Sequence, residues 1–135
     1  MSDAGLELQK AIFNALINDS VLKTLISDPP RVHDAPPLKG PFPFVTFSDW
    51  RETRVAGADD LVEHDFRIAV HSRYEGRREV RDIVTAILSA LDDQALLLAG
   101  FTLIAIRARF ADIIHRPDAD AFQGVIRFRA ITEKA

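Results

Sequence analysis

Apolar residues recur at helical spacing near the start of the chain. Leu8, Ile12, Phe13, Leu16 and Ile17 share one face of a helix predicted over 6–17. Asp19 or Ser20 can cap a second, short helix, "VLKTLIS", which Pro29-Pro30 stops. The period then changes to two. "FVTFSDW" reads as a first strand, and "LVEHDFRIAVHS" alternates cleanly, with Val62, His64, Phe66, Ile68 and Val70 on one face and Glu63, Asp65, Arg67 and His71 on the other. Between them "RETRVAGADD" (51–60), charged and carrying Gly57, is expected to be an exposed connection. "YEGRREVRDIVTAILSALDD" returns to the helical period, with Val80, Ile83, Val84, Ile87, Leu88 and Leu91 on one stripe. Gly100 precedes a third strand, "FTLIAIRARFADI". A polar turn, "HRPDADAFQG", leads to a fourth, "VIRFRAITE", in which Ile126, Phe128 and Ala130 alternate with Arg127, Arg129 and Ile131.

The order is α-α-β-β-α-β-β. Hairpin-length connections favour an α+β fold with an antiparallel four-stranded sheet and helices packed on one face. Phe66, Ile68, Val84, Leu88 and Phe128 are the expected sheet–helix contact. The stretch "RVHDAPPLKGPFPFVTF" (31–47) holds four of the seven prolines and raises the question of a linker. Thirty residues upstream are too few to close a core alone, so the stretch belongs inside one domain spanning 1–135. Proline removes amide donors and holds its predecessor extended, so this segment is expected to cross the surface and deliver the first strand.

Composition narrows the classes. At 135 residues, 47% apolar and 27% charged, the chain is of ordinary single-domain make-up. A net charge of −3 gives no global pull toward nucleic acid or anionic membrane. No cysteine is present, which removes disulfides, thiolate nucleophiles and Cys-ligated metals. No signal peptide is evident, and the longest apolar stretch is too short for a bilayer span, so a soluble protein made inside the cell is expected.

The chemistry-bearing residues form no recognisable site. His33, His64, His71 and His115 lie in no HxxxH, HExxH or HxH arrangement, and His64 shares an apolar strand face, where a satisfied core histidine is the simpler reading. "DADAF" lacks the glycine and distal glutamate of a calcium loop. "YEGRREVR" offers three arginines at a helix start but a single glycine, which suits ion pairs better than a phosphate loop. Arg107 and Arg109 can line up with Arg127 and Arg129 across a hairpin. The aromatics Phe110 and Phe128 are expected on the opposite face, so stacking with bases is not provided for. No serine carries a nucleophile elbow. No metal, cofactor or catalytic turnover is expected.

Taken in order, the fragments are more informative than any one of them. "LQKAIFNALINDSVLKTLI", "RVHDAPP", "PFPFVTF", "EHDFRIAVHSRYEGRREVRDIVTAILSAL", a glycine-led strand and "GVIRFRAITE" resemble the small tail-completion, or tail-terminator, proteins of long-tailed phages and phage-derived gene transfer agents. The likeness runs from about Leu8 to Glu133, with His33 and Phe44 where the family favours tyrosine or another aromatic. It implies a structural virion protein, made in the bacterial cytoplasm. Six subunits would form a ring on the head-proximal end of the tail tube, stop tube growth and join the head connector, adaptor or stopper protein. DNA would pass through without sequence-specific binding, and no membrane is involved. Two charged connections (51–60 and 112–121) and the arginine face then supply the interface candidates: Arg51, Glu52, Arg54, Asp59, Asp60, Arg107, Arg109, Arg127 and Arg129. No long apolar patch is legible on the strands' outer face, so the free protein is expected to be monomeric or weakly associated. Two other readings compete. One is a small ligand-binding or enzymatic α+β domain with a pocket near His64, His71 and the Arg77–Arg81 helix start. The other is a nucleic-acid accessory protein using the Arg107/Arg127 face.

Overall fold

The computed structural model describes residues 4–37 and 39–135. Two helices, α1 (Ala4–Ile17) and α2 (Ser20–Leu25), open the chain. Asp19 caps α2 by accepting a hydrogen bond from the Leu22 amide at 3.0 Å, as its position before the apolar run predicts. A short strand β1 (Val32–His33) and the long strands β2 (Phe44–Val55) and β3 (Ala58–Ser72) follow. Helix α3 (Arg78–Leu91), a short β4 (Leu97–Leu98) and two long strands, β5 (Phe101–Arg116) and β6 (Ala121–Lys134), complete it.

The sheet corrects the expectation of four antiparallel strands. It has six, in the order β1-β2-β3-β6-β5-β4, and it is mixed because β1 pairs parallel to β2. It curls as a half-barrel. The four expected strands form its antiparallel centre. The two additional strands are two residues each, too short for any period to show. β1 lies inside the proline-rich stretch, where Arg31 fixes the approach to β2 by donating to the carbonyls of Pro43 (3.0 Å) and Phe42 (3.1 Å).

The connections 51–60 and 112–121 are also corrected. β2 and β3 run on through 51–60 and leave only a two-residue turn at Ala56–Gly57, with Gly57 at φ +77°. β5 and β6 likewise extend to a short turn at Pro117–Asp120. No residue of 51–60 or 112–121 is fully buried, so little imposes apolar alternation there, and charged residues looked like loop.

The helix stripes and one sheet face share a single core. Leu8, Ile12, Leu16, Phe66, Ile68, Ile83, Ile87, Ile126 and Phe128 are fully enclosed in it. Leu88, expected at its centre, is half-buried at the margin. It lies roughly 80° around the helix from Val80, which explains the difference. Gly124 lets α3 approach closely: a Cβ there would stand 2.7 Å from Val84 Cγ2 and 2.9 Å from Val80 Cγ2.

Candidate assembly surface

The helix-free face of the sheet is built from outward positions that the register fixes row by row. Arg51, Asp65, Arg129 and Arg107 stand side by side across β2, β3, β6 and β5. The next row toward the top is Ser48, Arg67, Arg127 and Phe110. Arg127 grips Asp65 through two hydrogen bonds, Nε to Oδ1 at 2.7 Å and Nη2 to Oδ2 at 2.9 Å. Arg129 Nε donates to Glu63 Oε1 at 2.6 Å. These bonds hold the Asp65 and Glu63 carboxyls below their ordinary range, and they raise Arg127 and Arg129. Arg67 pairs with Asp49 at 3.4 Å and Arg107 with Asp92 at 3.4 Å. The arginine ladder is thus largely neutralised within the subunit, and such committed guanidiniums are poorly placed to hold phosphate.

Phe110 is not where strict alternation puts it. A bulge between Ala108 and Phe110 leaves Arg109 unpaired and returns Phe110 opposite Arg127, on the arginine face. Phe128 does face the core. With Ala69, Ile114 and Val125, Phe110 lines a shallow outer groove of about 220 Å³ that Arg67, Asp112 and Arg116 rim. This apolar strip was missed because a bulge has no sequence period.

The candidate residues do not converge on one spot. Arg51, Arg107, Arg127 and Arg129 share the helix-free face, with Arg109 at the bulge on its edge. Arg54, Asp59 and Asp60 are exposed at the β2–β3 hairpin end. Glu52 turns the other way. Its carboxylate lies against Gly5 in the first turn of α1 and 3.9 Å from His64 Nδ1.

His64 is fully buried on the core face. Trp50 Nε1 donates to its Nδ1 at 3.4 Å, which assigns the proton to Nε2, and Nε2 lies 2.9 Å from Thr132 Oγ1. Burial pushes its pKa down, against the pull of Glu52. It is a satisfied core histidine. Arg77 lies at the other end of β3, over the Phe122 ring at 5.2 Å. His71 sits on the helix-free face against Phe44 and Thr46. The pocket that would unite His64, His71 and Arg77 is not formed. Among the described residues, no three His, Cys, Asp or Glu side chains converge as a metal site requires, and no helix is long and apolar enough to cross a membrane.

Comparison with known proteins agrees with this architecture. A family model described as Tail completion protein gp17 matches residues 10–133. Tail completion protein gp17 of Bacillus phage SPP1 is 27% identical over 129 residues, 93% of this chain and 92% of that protein. A solved structure described as "Virion of native gene transfer agent (GTA) particle" superposes with a TM-score of 0.83 at 26% identity, over 98% of this chain and 99% of that one.

Proposed function

The chain belongs to the tail completion protein gp17 family, and from that premise we propose that it closes the head-proximal end of a phage-type tail. The resemblance read from the order of motifs is borne out, and the protein is a structural component of a virion or virion-like particle. The finer reading is a ring, taken as six subunits, that ends tube growth and meets the head connector, adaptor or stopper protein. Likeness over almost the full length of both chains to a component of a gene transfer agent virion is the observation that carries it. A neutralised sheet face, with arginines bonded to carboxylates of the same subunit, supports a surface that lets DNA pass without gripping it.

The test is electron microscopy of particles made without the gene. Tails of uncontrolled length that fail to join heads are the expected result. Normal, joined, DNA-delivering particles in its absence would sink the tail-completion role.

A further inference from the structure

Each outer long strand of the sheet is covered at one end only. β1 pairs with Val45 and Thr46 of β2, and β4 with Phe101 and Thr102 of β5. Past β4, the Asp93 amide donates to the Ile106 carbonyl, and the Asp92 carboxylate accepts from the Ala108 amide. Beyond Ala108, among the described residues, nothing pairs with the outer edge of Phe110–Arg116, and no strand lies outside Arg51–Val55. Exposed edges are usually blunted by bulges, prolines or lysines. The run "FADIIHR" has none of these, whereas Arg51–Val55 carries a register shift only at its end, between Arg54 and Val55. Its ladder to β6 is unbroken, and Phe110 and Ile114 remain 44% and 38% exposed. It is a strand edge left able to accept another strand.

The two open edges lie at opposite ends of the sheet. Following the register across the sheet, Ile114 stands level with Gln123, His71 and Phe44, where β1 covers β2. Thr53 stands level with Glu63, Ile131 and Ala105, near the end where β4 and Asp92–Asp93 cover β5. Their directions agree. β2, β3, β6 and β5 alternate, so β5 of one copy runs antiparallel to β2 of a copy related by rotation, about an axis to which the strands are tilted, as closure of a staggered sheet requires. A two-fold pairing of β5 with β5 would leave the β2 edge open. Pairing β5 with a neighbour's β2 uses both edges and is head-to-tail, the kind of contact that closes rings.

We propose that the subunit joint is an antiparallel pairing of Phe110–Arg116 with Arg51–Val55 of a second copy of this chain, an inference that rests on the ring reading above. The pairing must be staggered, because the open edges lie at opposite ends of the strands. Side chains must also stay on matching faces. Thr53 is level with Glu63, Phe110 with Arg67 and Asp112 with Ala69, so bringing Thr53 beside Phe110 or Asp112 shifts the copies by 67 − 63 = 4 or 69 − 63 = 6 ladder positions. In the first register Asp112 meets Arg51 of the next copy directly, and in the second diagonally. Among the described residues neither is in a salt bridge, although Arg51 stands beside Asp65 and, secondary to the Arg127 hydrogen bond, helps to lower its pKa. The joint brings these two opposite charges together.

The chain has no cysteine, so crosslinking reads the joint cleanly. Particles carrying R51C/D112C, treated with a short bifunctional thiol reagent, should give covalent chains from two subunits up to the closed ring on denaturing gels. T53C/D112C tests the same joint in the second register and serves if the first pair assembles poorly. R51C or D112C alone should give none. Dimers from D112C alone would assign the edge to a two-fold contact and overturn the proposal. So would a ring visible by microscopy with no crosslink from either pair. Joined particles formed without the gene would instead remove the ring reading itself.

Discussion

At the scale of single residues, the most consequential position is His64. Neutral imidazole accepts from Trp50 and bonds Thr132, while burial lowers its pKa below the ordinary value near 6.5. The unfolded chain therefore binds more protons than the folded one in mild acid. The stability that neutral His64 contributes is complete above about pH 6.5 and declines as pH falls through the lowered folded pKa. Protonation would also set an Nδ1–H against the Trp50 Nε1–H. Trp50 is the chain's only tryptophan, so its emission should change with the titration of His64. In His64→Gln the acid-linked loss of thermal midpoint and the coupled Trp50 signal should both shrink; an unchanged pH profile would mean that other groups carry it. His64 as a core residue was legible from alternation. Its partners were not, because Trp50 and Thr132 lie 14 and 68 residues away in sequence. Phe110 shows the opposite failure: strict alternation put it inside, and one bulged arginine moved it out.

At the scale of elements, α3 against the sheet holds the fold together, and its closest approach is at Gly124. Val80 and Val84 are buried and β-branched, so neither can yield cheaply to an added methyl. Gly124→Ala should cost about 1–3 kcal/mol by overpacking. A thermal midpoint equal to the parent's would show that α3 can lift away from β6. On the same helix, Ile87→Ala should cost about 2–5 kcal/mol, while half-buried Leu88→Ala should fall below that range. Denaturant unfolding of the pair checks the assignment, and equal losses would place Leu88 back in the centre. Helices and the four long strands were readable because each buries a face that enforces a period. The two-residue strands are too short to show a period, although Val32 is buried in the core, and no residue of 51–60 or 112–121 is fully buried, so both escaped notice.

At the scale of the whole molecule, the hairpin of β2 and β3 carries charge that the fold does not use. Arg54, Asp59 and Asp60 are exposed, and among the described residues none of them is in a salt bridge. Surface substitutions of this kind usually change stability by no more than about 0.5 kcal/mol. A charge kept where it does nothing for folding is suited to a contact made only on assembly, where complementary potentials govern encounter and register more than raw affinity. Replacing both aspartates, as D59K/D60K, should therefore leave the thermal midpoint of the isolated subunit near the parent's. Supplied in place of the parent gene, the same variant should yield fewer joined particles and a larger share of unjoined tails, with the defect easing at higher salt as like charges are screened. Fully joined particles at low salt would show that this hairpin faces solvent in the finished neck, and would shift the assembly contact to the strand edges alone.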